Sequence, residues 1–348
     1  MKDLNGVFRA FKYRNYRLYF FGQSISFTGS WIQQVAMGWL VYRLTNSPLM
    51  LGIISFASQA PSFFISPFVG VISERANRRK MLIFVEWLFL AQASILTLLV
   101  LTGTVRVWHL IVLSILLGFI TGIDMTTRHT FFVDVVDKKE DLANAIALNS
   151  AMFNGSRLIG PAIAGIIIAS AGEGICFLIN TLCYVAILAA LYMMNIKRKY
   201  KKLKFSDINF AKEINDGNKY AFSFRPIRDV VIIMCAVFFF TLPFTTFMPV
   251  FAKDILKGGP GAMGVLLSAM GAGALAGAVY VAARKNISGL TSVLAAAAFM
   301  ECFGVAVFSL SKWMWLSVPA VALAGAGVMI FNSSVNTLLQ VLADDDKR

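Results

Sequence analysis

The chain has 348 residues, of which 58% are apolar and 14% charged, with a formal net charge of +14. A soluble domain carries roughly 25% charged residues, so this composition excludes a disordered chain, a nucleic-acid-binding domain and an ordinary cytosolic enzyme. The basic residues fall in short blocks between long apolar stretches, which is how a polytopic membrane protein sets its orientation. Cys176, Cys183, Cys235 and Cys302 stand singly within those stretches, and His109 and His129 are too few for a histidine-based metal site.

A membrane-spanning helix needs about 20 mainly apolar residues. In chain order the candidates are Leu18–Tyr42, Pro48–Ile72, Met81–Thr102, Val107–Thr127, Leu142–Ala171 and Ile175–Ile196. After a polar break come Val230–Ala252, Gly261–Ala283, Ser288–Ser311 and Trp313–Leu342. Inside lipid only helices or closed barrels satisfy the backbone, and runs this long without strict alternation predict helices. With the N-terminus inside, the Lys and Arg residues lie on the cytoplasmic side except Arg43, Arg106, Lys253, Lys257 and Lys312, and Arg157 within a span. Ten spans with both termini cytoplasmic are therefore expected in the inner or plasma membrane.

The break divides the chain into a six-helix bundle over 1–196, a basic cytoplasmic linker over 197–228 and a four-helix bundle over 229–348. The linker reads either as a topogenic charge cluster or as a contact for anionic headgroups of the bilayer. Gly70 and Arg78 are echoed at one offset by Gly277 and Lys285, which suggests an internal repeat.

Gly70, Glu74, Arg75, Asn77, Arg78, Arg79 and Lys80 resemble the signature loop between the second and third helices of the major facilitator superfamily. Glu74 stands where that loop usually has Asp, and Asn77 where it usually has Gly. In span five Arg157, Gly160, Pro161, Ala164 and Gly165 resemble the Gly-Pro motif of the superfamily's exporters. The N-terminal stretch from Phe11 to Arg17, with residues 143–165, is most similar to the enterobactin-exporter and macrolide-efflux branch. The resemblance implies an all-α, two-bundle membrane fold. Gly70, Glu74, Arg75, Arg78 and Asp124 would form a gating latch, with Glu74 and Asp124 facing the basic loop. Arg157, Gly160, Pro161 and Gly165 would form a hinge.

Gln23, Ser26, Ser30, Gln33 and Gln34 fall on one arc of span one at helical spacing. They line either a substrate cavity, with Asn332 and Asn336 of span ten facing it, or a set of interhelical hydrogen bonds. Glu86 is expected to snorkel or pair near the boundary beyond Lys80. Glu301, near mid-span, is either a proton carrier or a protonated acid bonded to a neighbouring Ser or Thr. No phosphate-binding, HExxH or CxxC pattern occurs, so no cofactor and no enzyme activity are expected.

The expected function is export of a small amphipathic molecule of the drug or siderophore class by alternating access, driven by an ion gradient with protons as the expected ion. The alternative is a transport-incompetent remnant or a membrane partner subunit. The superfamily has twelve spans, so the second bundle is expected to be two helices short, from a longer reading frame or completed by a partner.

Overall fold

The structure, a computed structural model, describes residues 9–73, 77–135, 139–195, 223, 225–241, 243–284 and 289–342. No strand occurs among the described residues. Six long helices come first: α1 Arg14–Thr45, α2 Pro48–Ser73, α3 Arg78–Leu101, α4 Val107–Val135, α5 Leu142–Ala171 and α6 Glu173–Met193. Four follow: α7 Arg225–Thr241, α8 Gly259–Ala283, α9 Leu290–Leu310 and α10 Met314–Leu342. Local chemistry sets their ends. The Asn77 side chain accepts a hydrogen bond from the Lys80 backbone N–H and caps α3. Asn46 takes the left-handed conformation that stops α1.

The expected count of ten apolar spans is corrected to nine among the described residues. The exception is α1, which is long enough but too polar by composition. Gln23, Ser26 and Gln33 of its polar arc are buried, so burial within the protein stands in for hydropathy there. The seventh span also differs from its expected bounds. α7 ends at Thr241, and short helical turns over Pro243–Thr246, Met248–Val250 and Phe251–Ile255 carry the chain on. Pro243 and Pro249 lack the N–H that a continuous helix needs.

The chain divides into two compact units, Met1–Asp207 and Ile208–Arg348. In the first, α1 is central, packed on α5 and α6 and touching α2 and α4, while α3 joins α4 to α6. Tyr16, Tyr19, Val85, Phe89, Phe131 and Tyr184 build its core. In the second unit α10 lies between α8 and α9, and Leu294, Ile330, Phe331 and Val335 form a core cluster. Glycines permit the close approach. A Cβ on Gly277 would stand 2.8 Å from the Ala326 carbonyl oxygen, and one on Gly327 would stand 2.6 Å from the Glu301 nitrogen. Without a hydrophobic drive between helices in lipid, such backbone contact supplies the packing. Large side chains such as Phe56, Phe63, Phe64, Phe239 and Phe240 are exposed, as lipid-facing positions require.

Candidate functional site

The most concentrated chemistry lies inside the first unit, around Arg128. Arg128 and Asp124 share one face of α4 at i,i+4 spacing. Arg128 Nε donates to Asp124 Oδ2 at 2.9 Å and Nη2 to Asp124 Oδ1 at 2.6 Å, a bidentate pair. Nη2 also donates to Glu86 Oε1 of α3 at 2.9 Å, and Nη1 to Gln23 Oε1 of α1. The Phe27 ring lies 5.5 Å from the guanidinium carbon. Glu86 is 1% exposed. One guanidinium thus holds two carboxylates from different helices. Among the described residues, Glu86 Oε2 and Gln23 Nε2 are buried without a hydrogen-bond partner.

A second polar layer lies farther along α1. Asn180 of α6 donates to Gln33 Oε1 at 2.7 Å, Gln33 Nε2 to Gln92 Oε1 of α3 at 3.4 Å, and Gln92 Nε2 to the Leu113 carbonyl of α4 at 3.4 Å. Ser30 Oγ is 3.3 Å from the Tyr184 hydroxyl, whose ring stacks on Phe89. Of the expected cavity residues, Gln23, Ser26 and Gln33 are buried, Ser30 is half-buried and Gln34 is exposed. In α10, Asn332 is half-buried and Asn336 exposed.

Asp124 pairs with Arg128, one turn along the same helix. Of the two expectations for Glu86, pairing is the one observed, with Arg128 as the cation. Arg128 itself is not singled out by the sequence reading, because ending span four at Thr127 puts it among the loop charges, whereas α4 runs to Val135. The signal present in the sequence was the Asp124–Arg128 spacing, since a paired cation can enter a span that a free one cannot. Glu74 and Arg75 lie outside the described residues. Gly70 is in the last turn of α2, and Arg78 opens α3. Neighbouring Arg79 donates to the Leu191 and Tyr192 carbonyls at 3.0 and 3.1 Å, capping the end of α6.

In α5, Gly160 and Pro161 are buried and the helix continues through them. A Cβ on Gly160 would stand 2.5 Å from the Trp31 Cβ, so the position is a close crossing of α5 over α1. Gly165 is buried farther along α5. Arg157 is half-buried, 5.7 Å from the Trp31 ring. In the second unit Glu301 is 1% exposed, with Oε2 unpartnered among the described residues.

Two helical units with long apolar helices and charges buried between helices define a multi-pass membrane transporter of the major facilitator type. A family model described as transmembrane secretion effector matches residues 5–345, and the chain belongs to that family. It is 25% identical over 293 residues to the staphyloferrin A transporter of Staphylococcus aureus, covering 83% of this chain and 72% of that one. It is 22% identical over 337 residues to macrolide efflux protein A of Streptococcus pyogenes, covering 94% and 82%. A crystal structure of a bacterial homologue of the iron transporter ferroportin, inward-facing, matches with a TM-score of 0.69 at 16% identity, covering 96% of this chain and 86% of that one. At that identity it shows the fold alone.

Proposed function

We propose that this protein is a secondary active exporter of small amphipathic molecules of the drug or siderophore class, coupled to protons and working by alternating access. The relatives' efflux of macrolides and transport of a siderophore support the substrate class. The observation that carries the coupling is the buried cluster in which Arg128 faces both Glu86 and Asp124. Two carboxylates against one guanidinium leave one negative charge unbalanced in a setting where an unpaired charge is costly. A proton taken up by Glu86, whose Oε2 is unpartnered, balances the cluster, and its release restores the charge. Such a two-state element is what a transport cycle biases.

Glu301 is a second candidate for the same role, and Gln34 and Asn336 are the exposed polar groups proposed to meet substrate. In this reading Arg157, Gly160, Pro161 and Gly165 carry the movement of α5 on α1, Gly70, Glu74, Arg75 and Arg78 gate one face, and both termini are cytoplasmic. The test is transport of a macrolide and of a ferric siderophore in everted membrane vesicles, with and without a proton gradient. Glu86→Gln is expected to abolish gradient-driven accumulation while leaving substrate exchange, with Glu301→Gln assayed beside it. Undiminished driven transport in both variants would remove the acids from coupling. Absence of transport in the unmodified protein for every compound would favour the partner-subunit reading.

A further inference from the structure

α1 and α6 enclose an open groove of about 500 Å³ whose mouth carries two arginines, Arg14 and Arg17. Its floor is made of small residues, Gly22, Ala186, Ala189 and Ala190, and its walls of Leu18, Phe21, Ile25 and Met193. The floor is low because the two helices touch: a Cβ on Gly22 would stand 2.7 Å from the Ala190 Cβ. Phe21, Ile25 and Met193 are exposed, so the groove opens outward along its length.

Three observations fix the level of the mouth. α1 has 32 residues, about 48 Å at ~1.5 Å per residue, so it outruns the ~30 Å hydrocarbon core and its first turns stand among the headgroups. The Asn15 side chain, between the two arginines, donates to the Asn195 carbonyl at 3.0 Å and accepts from the Asn195 N–H at 3.1 Å. That clamp ties the start of α1 to the end of α6. Trp87 Nε1 donates to the Tyr192 hydroxyl at 3.2 Å, an aromatic pair of the kind that gathers at the membrane–water boundary.

Arg14 and Arg17 are exposed, and neither guanidinium has a hydrogen-bond or ion-pair partner among the described residues. They stand one turn apart, the spacing at which two side chains on one helix face can share a ligand. No acidic residue lines the groove among the described residues. We propose that this groove is a binding site for an anionic phospholipid. The headgroup phosphate lies between Arg14 and Arg17, and an acyl chain lies over Gly22 and Ala189 between Phe21 and Met193. A choline or ethanolamine headgroup carries a cation that the arginines repel, and free phosphate leaves the apolar walls unused.

Binding is measured by titrating dioleoyl phosphatidylglycerol into the delipidated protein in detergent, and retained lipid is counted by native mass spectrometry. At about the strength of one basic residue at an anionic surface, each of Arg14→Gln and Arg17→Gln weakens binding roughly fivefold and the pair about twenty-five-fold. Ala189→Leu fills the floor at an exposed position, leaves both charges, and also weakens binding. Phosphatidylcholine binds far less, and inorganic phosphate does not compete. Equal phosphatidylglycerol binding in the double variant, or in Ala189→Leu, would overturn the site. Competition by inorganic phosphate at comparable concentration would reduce it to an anion site on α1 and overturn the lipid assignment.

Discussion

Arg128 holds two acids in place, and its removal exposes what the cluster costs. Truncation to Ala leaves Glu86 and Asp124 buried without their cation, a change that typically destabilises by about 3–5 kcal/mol. Arg128→Ala is expected to lower the thermal unfolding midpoint in detergent sharply, and adding Glu86→Gln with Asp124→Asn to recover most of the loss. No recovery would mean that the guanidinium acts chiefly through Gln23 and Phe27. At the edge of the same unit, Lys12 Nζ lies 2.5 Å from Asp141 Oδ2, and the Tyr13 hydroxyl donates to that oxygen at 2.7 Å. The Lys12 ammonium and the Tyr13 hydroxyl hold the Asp141 carboxyl below its usual value, and the same carboxylate raises Lys12. A lowered acid stabilises above its unfolded value and loses that contribution as pH falls through the folded one. Protection of the 9–12 segment from proteolysis should therefore be flat near neutrality and fall in acid, and Asp141→Asn should remove the acid limb.

At the scale of elements, most of the helices were legible because apolar runs of 20 or more residues have few alternatives in lipid. The internal polarity was not. The arc from Gln23 to Gln33 could be recognised as facing inward, but choosing between a cavity and hydrogen bonding needs partners such as Asn180 and Gln92, far along the chain. Arg128 was missed because a charge count treats each cation by itself, whereas Asp124 and Glu86 neutralise it in place. Gly160 was legible as a small position but not as the seat of Trp31. Gly160→Leu is expected to cost about 1–3 kcal/mol through overpacking at the α1–α5 crossing, seen as a lower midpoint and reduced transport, while Gly155→Ala, which meets open space, changes the midpoint little.

For the whole molecule, the proposed orientation rests on the distribution of basic residues. Single cysteines introduced at Lys202 and Lys257 into a cysteine-free background are expected to label from opposite sides of intact cells; labelling from one side would reverse the assignment of one half. Each of the two units has its own core cluster. The Glu86–Arg128 pair also bears on how the protein is made. Its partners are 42 residues apart, and a ribosome adding about 5–20 residues per second delivers Arg128 roughly 2–8 s after Glu86. Gln23 waits for the same arginine across 105 residues, or roughly 5–20 s, and Asn15 for Asn195 across 180, or roughly 9–36 s. During synthesis α3 thus carries a carboxyl group whose cation does not yet exist. It must stay beside the insertion machinery, or enter the bilayer with its acid neutral, until α4 follows.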